Sequence, residues 1–116
     1  MKHIFIPWVT ILFVFNIVNA QNSDSARKWF IYQLNIIRNF VEGKTTDSLL
    51  RRAVAIELIE ELTKIESESD YYGGLDKKIN PTRNDYLKWK EWYERNKLKL
   101  IWDKKNKTIA CKGSCI

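Results

Sequence analysis

The stretch ARKWFIYQLNIIRNFVEGKTTDSLLRRAVAIELIEELTKI, residues 26–65, decides the fold. In its first half, apolar residues recur at steps of three and four, which places them on one face of a helix. These positions are Phe30, Leu34, Ile37 and Val41, widened by Trp29, Ile36 and Phe40. Ser23 and Asp24 precede the pattern as capping candidates, and Gly43 follows it as a natural C-terminal glycine. The sequence therefore predicts a first helix over about residues 24–42.

The second half of the stretch repeats the helical pattern after a short polar turn at residues 44–47, which supplies fresh caps. Its apolar stripe consists of Leu50, Val54, Leu58, Leu62 and Ile65, flanked by Leu49, Ala53 and Ile56. Ile59 and Glu61 shift the apolar register by one residue after Leu58. We expect a second helix over about 47–66. Two helices joined by a connection this short pack as antiparallel neighbours, so the pattern predicts a helical hairpin.

The remainder of the chain predicts a third helix and a short hook. Residues 67–81 read as a loop whose tyrosines pack back on the helices, with Tyr71-Tyr72-Gly73-Gly74 at its centre. Thr82 and Asp85 form a capping-box pattern for a helix over 83–96. Its apolar face holds Tyr86, Trp89, Trp92, Tyr93 and Asn96. Alternation around a polar turn at 103–107 predicts a β-like hook over 98–111. The fold class is all-α, with a small hook that leans on the helices.

The N-terminus has the pattern of a secretion signal. A short basic start is followed by an apolar run from Ile4 to Val18 and a cleavage-like Val18-Asn19-Ala20. A membrane-spanning helix needs roughly 20 apolar residues, and this run is shorter. We expect cleavage between Ala20 and Gln21 and export to the periplasm or the extracellular space. Residues 21–116 would then form one small domain without a transmembrane segment. An uncleaved N-terminal anchor is the alternative.

The histidine content argues against most enzyme classes. The one histidine, His3, lies inside the predicted signal. Without it, Ser-His and Cys-His nucleophiles, histidine bases and histidine-ligated zinc sites are excluded. The acidic run Glu60, Glu61, Glu66, Glu68 and Asp70 lacks the Asp/Asn-glycine pattern of a calcium loop, and no carboxylate pair suggests a glycosidase. We expect no enzyme activity, no catalytic residues, no cofactor and no metal.

Two cysteines close to the end of the chain predict a disulfide. Cys111 and Cys115 are separated by Lys-Gly-Ser, and Gly113 gives the backbone freedom to close so short a loop. Export would place both thiols in an oxidising compartment, where neighbouring cysteines pair. A loop this short removes little entropy from the unfolded chain, so the bond would add little stability.

The charge is polarised along the chain. The formal charge is +6, and it falls to +5 when Lys2 leaves with the signal. Residues 57–70 carry a net −5, and residues 77–112 a net +8. Such a surface can attract an acidic partner, although a solvated, solubilising face has the same composition. Lys88, Trp92 and Arg95 can share one helix flank and are the candidate binding residues, because aromatics beside cations suit anionic ligands.

Two stretches resemble a known family. Leu50-Arg51-Arg52-Ala53-Val54-Ala55-Ile56-Glu57-Leu58, preceded by Asp47, is similar to the helix of a HEAT-type repeat. Trp89-x-x-Trp92-Tyr93-x-x-Asn96 with Leu100-x-Trp102-Asp103 resembles the tryptophan-rich tail that closes such segments in exported bacterial proteins. One hairpin fits here, whereas stacked repeats need about three units. The resemblance implies a repeat-like helix pair sealed by a cap, with a binding or scaffolding role.

These observations together predict a non-enzymatic binding or adaptor module in an exported protein. Its partner would be a protein or an anionic envelope polymer, and the export signal argues against nucleic acid. The alternatives are a small inhibitor or immunity-type protein that blocks a secreted enzyme or toxin, a carboxylate hydrolase, and a surface protein held by anionic lipids or glycans.

Overall fold

The computed structural model describes residues 5–44, 48–71 and 76–116, with side chains described from Asn22 onward. Three helices are followed by a two-stranded antiparallel sheet. They are α1 (Phe5–Val41), α2 (Leu49–Thr63), α3 (Arg83–Asn96), β1 (Leu100–Asp103) and β2 (Thr108–Cys111), with a 3₁₀ turn at Lys97–Lys99. The prediction of a mainly helical fold with a C-terminal hook is confirmed at this level.

Helix α1 begins at Phe5, well before the expected start near residue 24. No proline or glycine interrupts residues 8–42, so the helical hydrogen bonds continue through the polar segment. Asp24 lies inside the helix and pairs with Lys28 at 3.2 Å and Arg27 at 3.9 Å, instead of capping. The prediction of Ser23 and Asp24 as caps is therefore wrong. Cleavage between Ala20 and Gln21 stays a prediction.

The prediction that α1 ends at Gly43 is confirmed. Gly43 has φ +75°, a left-handed conformation that glycine adopts without steric cost. The Gly43 amide donates to the Phe40 carbonyl at 3.0 Å, and the Lys44 amide donates to the Asn39 carbonyl at 2.7 Å. These two bonds form a Schellman motif, which satisfies the last carbonyls of the helix.

Helix α2 is shorter than predicted at both ends. Ser48 is its N-cap and accepts a hydrogen bond from the Arg51 amide at 3.2 Å. The helix ends where Lys64 adopts φ +61° and donates its amide to the Glu60 carbonyl at 2.9 Å. The expected caps at residues 45–47 lie outside the described residues.

Helix α3 has the predicted bounds and the predicted capping box. Thr82 Oγ1 accepts from the Asp85 amide at 3.0 Å, and an Asp85 carboxylate oxygen accepts from the Thr82 amide at 3.0 Å. In the loop before it, Tyr71 is 61% exposed and does not pack on the helices as expected. Tyr72, Gly73 and Gly74 lie outside the described residues.

The core is built around α1, which contacts α2, α3 and β1. Its buried residues are Ala26, Phe30, Leu34, Ile36, Ile37, Ala55, Ile56, Ile59, Trp89, Trp92, Tyr93, Leu100 and Ile109. Strand β1 contributes its fully buried Leu100, so the small sheet is supported by the helices.

Candidate binding surface

The predicted contact residues lie on α3 but do not form one exposed surface. Trp92 is only 2% exposed, and its ring stacks on Phe30 with centroids 5.6 Å apart. Lys88 and Arg95 are exposed. The choice of Trp92 as a contact residue is therefore corrected: the indole fills the space between α3 and α1. Binding through Lys88 and Arg95 stays a prediction.

The other members of the tryptophan-rich pattern also have structural roles. The indole N–H of Trp89 donates to the Ile65 carbonyl at 3.0 Å and ties α3 to the end of α2. The buried Asn96 amide nitrogen donates to the carbonyls of Trp92 and Ile116, both at 2.9 Å. Asn96 Oδ1 accepts from the Ile116 amide at 2.9 Å. This side chain therefore holds the segment after the hook against α3.

A cluster of polar side chains joins the end of α2 to the start of α3. The buried Asp85 carboxylate accepts from Ser67 Oγ and, at 2.9 Å, from the Glu68 amide. Lys78 Nζ donates to Glu60 at 3.0 Å and to the Ser67 carbonyl at 3.1 Å. The donors and acceptors satisfy one another. The cluster is thus suited to fixing the loop rather than to exchanging protons.

Two pKa values in this cluster are shifted by their partners. Burial lowers the pKa of Lys78, but the hydrogen bond and charge of Glu60 outweigh it, so the pKa lies above its ordinary value. Hydrogen bonds from Thr82 and Asn84 lower the pKa of Glu68. Both groups are therefore held in their charged forms at neutral pH.

The first part of the apolar stripe predicted for the inner face of α2 lies outside, whereas Leu62 and Ile65 at its other end pack against the core. Leu50 is 72% exposed and Val54 is 41% exposed. Ala55, Ile56 and Ile59 face α1 in their place and are buried. The prediction that Leu50 and Val54 belong to the core is therefore wrong.

Arg52 explains this rotation of α2. Its guanidinium lies 4.3 Å from the centre of the Phe40 ring, and its Nε donates to the Ile79 carbonyl at 2.9 Å. A cation–π contact combined with a buried hydrogen bond is geometrically specific. With Arg52 turned inward, Leu50 and Val54 on the opposite flank must face outward.

The exposed stripe forms a shallow groove with α1, which we call the hairpin groove. Tyr32, Gln33 and Ile36 form one wall, and Leu50, Arg51 and Val54 form the other, around a cavity of about 240 Å³. Three of the nine exposed large hydrophobic residues in the described part of the chain, Tyr32, Leu50 and Val54, line this groove. A single exposed apolar residue is ordinary, but such a cluster is typical of a binding surface.

A larger cavity lies further along the same stripe of α2. This hook cleft has a volume of about 640 Å³. Its walls are Trp29 of α1, Leu58 and Leu62 of α2, and residues 108–111 of β2. The volume falls within the range of known ligand sites, about 300–1,000 Å³. The two cavities thus place apolar side chains along one side of the hairpin.

The hook is cross-linked by a disulfide and is basic. The predicted pair Cys111 and Cys115 is confirmed at disulfide distance, with Cα atoms 5.8 Å apart. The carboxylate of Asp103 accepts from the side chain of Asn106 at 2.8 Å and from the Lys105 amide at 3.0 Å. The hydrogen bonds from Asn106 and Lys105 lower the pKa of Asp103 and fix the turn. Residues 97–112 contain six lysines and one acidic residue, a net +5.

Comparison with known proteins finds no matching family model, no matching curated protein and no matching solved structure. In the part of the chain that the structure describes, no helix is long and apolar enough to cross a membrane. Across the same residues, no group of three or more His, Cys, Asp or Glu side chains is placed to hold a metal ion.

Proposed function

We propose that the protein is a non-enzymatic binding module that captures a protein partner on the hairpin groove. The observation that carries this proposal is the outward rotation of α2. The apolar pattern of α2 would also allow Leu50 and Val54 to be buried. Instead, Arg52 is buried and these two residues lie at the surface. A partner that covers them gains roughly 25 cal/mol for each Å² of apolar surface removed from water.

A protein fits this groove better than an anionic polymer does. The walls of the groove contain Tyr32, Ile36, Leu50 and Val54. These side chains favour contacts with apolar groups over contacts with charged groups. The cations Lys88 and Arg95 lie on α3. An anionic envelope component is therefore the second candidate, and it would use the basic surface of α3 and the hook.

We also propose that the module works in an oxidising compartment outside the cytoplasm. The pairing of Cys111 with Cys115 supports this location, since disulfides persist where glutathione and thioredoxin do not reduce them. The signal-like residues 1–20 point the same way.

A matched pair of charge substitutions tests the groove. Val54→Glu places a carboxylate in the hairpin groove at a position that is 41% exposed. Leu87→Glu makes the same kind of change on α3 at a position that is 51% exposed. Because both side chains are already exposed, we expect both variants to keep the wild-type unfolding midpoint and circular dichroism.

The partner is identified by photo-crosslinking from position 54 in the native source, purified, and titrated by calorimetry. We expect Val54→Glu to weaken its binding at least about tenfold, as for a central contact of an interface, and Leu87→Glu to leave it unchanged. Equal binding by both variants would refute the groove. If a concentrated salt solution releases the bound material from all variants alike, the anionic polymer is favoured instead.

A further inference from the structure

Within the residues that the structure describes, strand β2 pairs only with β1, so its other edge, beside the hook cleft, has no partner strand. The sheet consists of β1 and β2, and β1 packs against α1. The register pairs Leu100 with Cys111 and Trp102 with Ile109. One pair beyond the strands, the Lys112 amide donates to the Lys99 carbonyl at 2.6 Å. This bond identifies which residue pairs of the ladder are hydrogen-bonded to each other.

The alternation of hydrogen-bonded pairs determines which main-chain groups of β2 point away from β1. In an antiparallel ladder, hydrogen-bonded pairs alternate with non-hydrogen-bonded pairs. Since Lys99 and Lys112 are hydrogen-bonded, the pair Trp102–Ile109 and the pair ending at Cys111 are not. The N–H and C=O groups of Ile109 and Cys111 thus point away from β1, towards the free edge of β2. A free edge of this kind is a template for another strand.

The two faces of the hook have different chemistry. Ile109 is 5% exposed and belongs to the core cluster, and Cys111 packs against that cluster. Ala110 and Lys112 alternate with them and lie on the opposite face. Lys99 Nζ donates to the Ser114 carbonyl at 3.1 Å, whereas Lys112 is exposed. An anionic side chain next to Lys112 would gain a favourable charge contact.

We propose that an extended segment with alternating apolar and acidic residues adds to β2 as a third strand. This inference rests on the proposed function, because the segment would belong to the captured protein partner. Its main chain bonds to Ile109 and Cys111, as in other cases of strand addition. Its apolar side chains enter the hook cleft towards Trp29 and Leu62, and its acidic side chains lie on the face of Lys112. The net +5 of the hook favours an acidic segment over a basic one.

The probe is a fluorescent, capped hexapeptide of alternating valine and glutamate, titrated into the whole protein by anisotropy. A peptide of the same composition, with three valines followed by three glutamates, controls for charge and hydrophobicity. An alternating valine–lysine peptide controls for the sign of the charge. We expect only the alternating acidic peptide to bind, and Lys112→Glu to weaken it.

Ile109→Pro removes the outward N–H of β2, while Ile109→Ala keeps that N–H and shortens the same side chain. We expect the proline variant to bind roughly tenfold more weakly than the alanine variant, since the bound segment would leave an acceptor unpaired. Amide hydrogen exchange of the wild-type protein gives a second measurement that does not depend on how Ile109→Pro folds. The peptide should protect the amides of Ile109 and Cys111.

If the peptide with three valines followed by three glutamates binds as well as the alternating valine–glutamate peptide, strand addition is wrong. Unchanged exchange at Ile109 and Cys111 in the presence of saturating peptide would overturn it as well. Failure of this inference is distinguishable from failure of the proposed function. If Val54→Glu abolishes capture of the partner and the hexapeptide does not bind, the groove stands and strand addition is wrong.

Discussion

Replacement of Lys64 by glycine should stabilise the protein. Lys64 ends α2 in the left-handed conformation, with φ +61° and ψ +18°. Gly43 ends α1 in the same region, with φ +75°. Both helices thus end at a residue in the left-handed conformation, but only in α1 is that residue a glycine. A lysine in this region crowds its Cβ against the following carbonyl.

The magnitude follows from two opposing terms. Removing the Cβ from a left-handed position relieves about 1–2 kcal/mol. Glycine also gives the unfolded chain more conformational freedom, which lowers the free energy of unfolding by about 0.4–1 kcal/mol. The net gain is about 0.5–1 kcal/mol, which corresponds to a rise in Tm of roughly 2–6 °C for a domain of this size.

Thermal unfolding followed by far-UV circular dichroism measures this difference. Lys64→Ala is the matched control, because it removes the same exposed side chain but keeps the Cβ, and it should leave Tm nearly unchanged. Gly43→Ala is the mirror experiment. A Cβ at Gly43 meets no atom of the described residues within 4 Å, so the expected cost of about 1 kcal/mol is conformational. If Lys64→Gly melts below Lys64→Ala, the reasoning about this helix end is refuted.

Two further predictions concern the end of α3 and the acid limit of stability. Asn96→Ala should destabilise the fold by about 1–2 kcal/mol, because it removes the hydrogen bonds that join this buried side chain to the main chain of Ile116. Urea titration measures this loss, and an unchanged midpoint would show that water replaces the amide. Glu68 has a pKa below its ordinary 4.5, so its contribution to stability is present above that value and is lost as the pH falls through the folded-state pKa. The wild type should therefore exceed Glu68→Gln in urea midpoint at pH 7, and the difference should shrink as the pH falls through the folded-state pKa; a constant difference would contradict the assigned hydrogen bonds.

Local signals in the sequence were sufficient for α3, for the glycine end of α1 and for the hook, but not for the start of α1 or the two ends of α2. Thr82 and Asp85 cap α3 through contacts three residues apart, and Gly43 ends α1 through its own backbone freedom. The hook was predictable from the change of period after Asn96 and from its polar turn. Each of these features depends on residues close together in the chain, so no knowledge of the packing was needed.

The rotation of α2 depends on distant residues and was not predictable in this way. The helix has two apolar flanks, one with Leu50 and Val54 and the other with Ile56 and Ile59, and periodicity alone does not choose between them. The choice follows from Arg52, whose partners at Phe40 and Ile79 are contributed by other segments. The shift of register at Ile59 was the one sequence signal of the second flank.

The burial of Trp92 has a similar cause. Its spacing from Trp89 predicted one side of α3, but its degree of exposure depends on Phe30 of α1. Because Trp89, Trp92 and Tyr93 of α3 are used in the core, the exposed side of α3 offers a binding partner mainly charged side chains. The apolar surface that remains for recognition belongs to the hairpin and to the hook cleft. The charged residues of α3 therefore suit attraction of a partner, while the hairpin groove suits holding it.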